Sequence, residues 1–150
     1  MLEMLRKTKH AEGTCLLDEW IANSVRGPGD ILFDTQKAVW LIDHEGAFEA
    51  STRPDEAVTN WLATQLLEGL TRAQRTDFLT RLSLKLQPLA NARLGRMPPE
   101  LAQADRGPET YRAVIEFLEA RLAHLGDLLS KRVLPEQMTL DDIPEASNDS

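Results

Sequence analysis

Residues 17–48 read LDEWIANSVRGPGDILFDTQKAVWLIDHEGAF. Leu16, Leu17, Trp20 and Ile21 recur at helical spacing. Gly27-Pro28-Gly29 then stops any helix firmly. Ile31–Phe33 and Ala38–Ile42 are rich in β-branched and aromatic residues and predict two short strands, with Asp34–Lys37 as the hairpin turn. The second strand delivers Asp43-His44 into a glycine-containing turn. Helix, turn and hairpin in this order, followed by helical patterns only, predict an α+β fold that is mostly α-helical with one small β-hairpin.

The stretch resembles the catalytic loop and following metal-binding loop of the HipA-like kinases, distant relatives of the phosphatidylinositol kinases. Asp18, Trp20, Ile21, Asn23, Arg26, Gly29, Leu32, Ile42, Asp43, His44, Ala47 and Phe48 fit that family's pattern. The resemblance implies a kinase C-lobe-like domain. It breaks at two positions. Val25 stands where the family has its catalytic Asp, which orients the acceptor hydroxyl and takes its proton; valine has no lone pair for either task. Asp30 stands where the family has a metal-binding Asn, and a carboxylate still suits Mg²⁺ there. Asp43 occupies the position of the phosphate-side metal Asp. The resemblance thus implies a degenerate metal or nucleotide site at Asp30 and Asp43, with Asn23, Arg26 and His44 supporting the loop. It implies no catalytic residue, no retained metal and no cofactor.

Outward from this stretch, the chain offers little other chemistry. Only about two dozen residues precede the loop region, and they show no Gly-rich phosphate loop and no strand lysine, so the nucleotide-covering lobe of a kinase is expected to be missing. His10, His44 and His124 are too far apart in sequence to suggest a metal site, and His44 reads as a turn histidine. Asp18 and Glu19, on a helix, are expected to be solvated. Cys15 is the only cysteine, which excludes an intrachain disulfide and reads as a small buried helix residue.

The 150 residues suffice for one domain with a real core, and 42% hydrophobic with 27% charged residues is ordinary globular composition. The formal net charge of −7 argues against nucleic acid and against an anionic membrane surface, and suits a basic partner. No apolar run approaches membrane-spanning length, and no apolar signal core follows Arg6, Lys7 and Lys9, which predicts a cytoplasmic protein.

Thr14 is a plausible N-cap for the first helix. Pro54 with Asp55 and Glu56 suggests the start of a second, with Val58, Trp61, Leu62, Leu66 and Leu67 on its apolar face and Gly69 closing it. Thr71 and Gln74 form a capping-box pattern for a third, ended by Pro88. Arg72, Arg75, Arg81, Lys85 and Arg93 read as its solvated face. A short helix over Pro99–Ala104 precedes a long one from Gly107-Pro108 to about Leu129. There Tyr111, Ile115, Leu118, Leu122, Leu125 and Leu129 form one stripe, while Arg112, Glu116, Glu119 and Arg121 are expected in water. The stripe is either intramolecular core or, at Tyr111, Leu118, Leu122 and Leu125, an interface. Residues 1–132 are read as one kinase-C-lobe-like domain and 133–150 as an acidic, disordered tail.

These observations favour binding over catalysis: an inactive kinase-lobe remnant that docks on another protein as a regulator or inhibitor, for instance a mobile-element inhibitor of a host defence system, with a homodimer as one form. The alternatives are a residual phosphotransferase or nucleotide- and Mg²⁺-binding protein completed by a separate N-lobe chain, and a structural oligomerisation module.

Overall fold

A computed structural model describes residues 10–34, 38–49, 51–91 and 94–135. The chain forms α1 (Ala11–Trp20), a 3₁₀ turn (Pro28–Asp30), β1 (Ile31–Phe33), β2 (Val39–Leu41), α2 (Trp61–Leu67), α3 (Arg72–Ala90), α4 (Pro99–Gln103) and α5 (Gly107–Val133). The described part is mostly helical with one two-stranded antiparallel sheet, as the pattern of residues 17–48 predicts. The N-terminal segment before His10 and the acidic segment after Pro135 lie outside the described residues, as do Thr35–Lys37 of the hairpin turn and Arg93. Among the described residues no helix is long and apolar enough to cross a membrane.

The core forms where α1, α2, α3 and α5 meet. Cys15 and Leu16 of α1, Leu62 and Leu66 of α2, Phe78 and Leu82 of α3, and Leu125, Leu129 and Val133 of α5 are all buried in one cluster. Ile31 inserts the hairpin into the same cluster, and Phe33, Val39 and Leu41 pack against it. The pairing Ile31 with Leu41 and Phe33 with Val39 puts these four side chains on the inner face.

Several element boundaries differ from expectation, each for a local reason. α1 starts at Ala11, ahead of Thr14, whose hydroxyl donates back to the His10 carbonyl at 3.0 Å within the first turn. No helix begins at Pro54. Residues 56–59 belong to no helix or strand, and Asn60 caps α2 by accepting the Ala63 N–H at 2.9 Å. α3 continues through Pro88 to Ala90, because a proline near the helix end forfeits only one late hydrogen bond. Its start is the expected capping box: Thr71 Oγ1 accepts the Gln74 N–H at 3.3 Å and Gln74 Oε1 accepts the Thr71 N–H at 2.9 Å. α5 runs one turn further than expected, to Val133. Its first residue, Gly107, passes so close to α4 that an added Cβ would lie 1.9 Å from the Leu101 carbonyl oxygen.

Of the two readings open for the α5 stripe, core is the one seen at Leu118 and Leu125, which are buried, and at Leu122, which packs against the core, while Tyr111 is half-buried with its hydroxyl on the Gly95 carbonyl. One expectation about α5 is corrected. Arg112, Glu116 and Glu119 are exposed, but Arg121 is fully buried. It follows Leu118 by three residues and precedes Leu125 by four, so helical geometry places it on the buried face.

Candidate functional site

The end of α1 sets the geometry of residues 18–48. Ala22 takes a left-handed conformation (φ 52°) just past the helix. The Ala22 N–H then reaches the Glu19 carbonyl at 3.4 Å and the Asn23 N–H reaches the Asp18 carbonyl at 2.9 Å. This is a Schellman closure with alanine where glycine is usual. It turns the chain back so that Arg26 meets Asp18. Arg26 Nε lies 3.1 and 3.0 Å from the two Asp18 carboxylate oxygens, and Nη2 lies 2.7 Å from Oδ1. Arg26 Nη1 donates to the Ile42 carbonyl at 2.6 Å. One guanidinium therefore ties α1, the turn and the exit of β2 together. Both partners are buried, so removing one would leave an uncompensated charge inside the protein, at a cost of about 3–5 kcal/mol. Asp18 is thus not solvated as its helical position suggested.

Asp30 Oδ2 accepts the Gly27 N–H at 2.7 Å and closes the 3₁₀ turn. The Asp30 carbonyl accepts the Ile42 N–H at 3.0 Å, which brings Asp30 beside the strand leading to Asp43. Asp43 is exposed and left-handed (φ 55°). His44 is exposed, and its carbonyl accepts the Ala47 N–H at 3.0 Å in the turn that follows. Asn23 is fully buried; its Oδ1 accepts the Val25 N–H at 3.4 Å, while its Nδ2 has no partner among the described residues. Phe48, also left-handed (φ 60°), donates its N–H to the Ile21 carbonyl at 3.1 Å and packs edge-on against Phe117 of α5, centroids 6.0 Å apart.

Val25 sits at the tip of this frame, 51% exposed, with its methyls directly over Gly46: a Cβ at Gly46 would meet Val25 Cγ2 at 2.3 Å. The position of the expected base and the turn after β2 are therefore in contact. One Asp30 oxygen already serves its turn, and among the described residues no group of three His, Cys, Asp or Glu side chains is placed to hold a metal ion.

A second polar assembly went unrecognised in the sequence. Glu19 is fully buried and acts as a hub. Arg132 Nε and Nη2 donate to its carboxylate at 2.7 and 3.2 Å, and Asn60 Nδ2 at 3.3 Å. Arg121 Nη2 lies 3.5 Å from Glu19 Oε1, a Coulombic contact whose geometry falls short of a hydrogen bond. The rest of Arg121 binds carbonyls: Glu19 at 2.6 Å, and Glu56, Pro54 and Arg53 at 2.8, 3.2 and 3.4 Å. Burial holds its guanidinium below the ordinary arginine range, and the Glu19 carboxylate partly offsets this. Arg121 and Arg132 thus fix the irregular segment 53–58 against α1 and α5. Arg75, expected in solvent, is half-buried and donates to the carbonyls of Leu67, Leu70 and Val133. Cys15 is buried against this assembly. Burial, with Asp18, Glu12 and Glu19 nearby, pushes its thiol well above the ordinary range.

Comparison with protein-family models, with curated proteins and with solved structures found no match to this chain.

Proposed function

We propose that this chain is a catalytically inactive, HipA-like kinase-lobe remnant that acts in the cytoplasm by binding another protein, as a regulator or inhibitor. The observation that carries this reading is Val25. The frame around it is fully built, from the Asp18–Arg26 pair through the 3₁₀ turn to the hairpin, yet its tip holds an apolar side chain. Phosphoryl transfer of the kinase type needs a carboxylate there to orient the acceptor hydroxyl. Asp30 is engaged by its own turn, so it is poorly placed to substitute. A rigid frame without a base is suited to presenting a surface.

The test is incubation of the purified protein with labelled ATP, Mg²⁺ and hydroxyl-bearing acceptors, itself included. No labelled product above a heat-killed control is expected. Transfer clearly above that control would overturn the reading in favour of a phosphotransferase.

A further inference from the structure

We infer that the outer face of the hairpin is a docking surface for a protein segment that presents apolar side chains between lysines or arginines. This deepens the binding reading above and rests on it for its biological meaning. Leu32 pairs directly with Trp40, so both side chains project from the same face, and Ile42, two residues on from Trp40, shares it. They are 46%, 60% and 44% exposed. A tryptophan so exposed, flanked by two exposed aliphatic residues, is unusual away from interfaces and is the side chain most often found at their energetic centre.

The fence around this patch identifies the occupant. Asp34 closes one end: its carboxylate accepts the Ala38 N–H at 2.8 Å and the Trp40 indole N–H at 3.5 Å. Asp30 precedes Leu32 by two residues, and Asp43 and Glu45, both exposed, follow Ile42. The basic residues within 24–49 are Arg26, buried in its pair with Asp18, Lys37, which lies outside the described residues, and His44 beside Asp43. A second copy would set this acidic fence against itself, and nucleic acid or an anionic lipid surface would be repelled by it. A basic segment with apolar side chains satisfies both the patch and the fence.

The experiment is fluorescence anisotropy of a labelled peptide alternating leucine and lysine, titrated with the full chain. A leucine–glutamate peptide of equal length is the control. Saturable binding of the lysine peptide that weakens with salt is expected, and none of the glutamate peptide. Trp40→Ser should weaken binding on the order of tenfold or more. Leu84→Ser, at a 67% exposed leucine on α3, should leave it unchanged. Circular dichroism checks folding, and Leu32→Ser takes the place of Trp40→Ser if that variant does not fold. The inference is overturned by an absence of binding, by equal binding of both peptides, or by equal effects of the hairpin and α3 variants. It is also overturned by a Trp40-dependent dimer in light scattering, or by Trp40-dependent binding to a DNA duplex or phosphatidylserine vesicle. Phosphate transfer by the wild type would instead defeat the binding reading while leaving the peptide titration to stand or fall alone.

Discussion

In the seam between α1 and α5 the charges are inside, whereas on the hairpin the large apolar side chains are outside. Glu19 and Arg121 are fully buried there and Arg132 is partly buried. Leu32, Trp40 and Ile42 face solvent. Each arrangement inverts the usual partition of residue types, and the two inversions have different meanings. Buried charges are tolerated when they are paired and hydrogen-bonded, and here Glu19 is shared by two guanidiniums whose remaining donors stitch carbonyl-rich irregular backbone to α1 and α5. Exposed apolar side chains contribute little to folding, so these three leave the inner seam to carry stability.

The largest effect should come from breaking the seam. Glu19→Ala leaves two guanidiniums without their carboxylate and should cost about 3–5 kcal/mol, a large share of the stability of a domain this size. Urea unfolding measures it, and a loss below about 1 kcal/mol would mean the seam is wetter than its burial indicates. Asp18→Asn leaves the buried Arg26 without its carboxylate and should cost a comparable amount, loosening the hairpin first because Arg26 also holds the Ile42 carbonyl. Amide exchange should then accelerate around Ile31–Phe33 and Val39–Leu41 before it does in α3. Uniform acceleration would show that the pair does not specifically anchor the hairpin.

Gly107→Ala is next, at about 1–3 kcal/mol, since its methyl would drive into the Leu101 carbonyl and part α4 from α5. An unchanged thermal midpoint would mean that α4 yields freely. A smaller effect concerns Cys15, whose thiol the fold keeps protonated beyond its ordinary value of 9.0. The unfolded chain releases that proton first as pH rises, so the stabilisation is present at neutral pH and fades above about pH 9. Cys15→Ala should flatten this alkaline decline, and the native thiol should react with a disulfide reagent only as the protein opens. Rapid native labelling would contradict the burial.

Much of the secondary structure was legible because it rests on local rules. The strand at Ile31–Phe33 and the Thr71–Gln74 box each depend on residues within one turn of each other, whereas α1 ends at Trp20, well ahead of Gly27-Pro28-Gly29, through the turn at Ala22. The start of α2 was not legible in that way. Pro54 and its acidic neighbours imitate a helix start, but the carbonyls of 53, 54 and 56 are held instead by Arg121, which is distant in sequence. Arg121 itself was missed because charge was weighed ahead of spacing. The steps of three and four from Leu118 and to Leu125 carried the signal. At the candidate site the residue types were visible, but the joining of Asp18 to Arg26 depends on the left-handed turn at Ala22, a conformation that an alanine does not advertise.

The claim that joins these regions is that folding rests on the inner seam and leaves the hairpin's outer face to a partner. Urea unfolding of the Leu32→Ser/Trp40→Ser double variant tests it most directly. The account predicts a loss of about 1 kcal/mol or less, the value of one exposed cross-strand pair. A loss on the order of several kcal/mol, as large-to-small changes in a core produce, would show that the chain covers this face itself and would contradict the account.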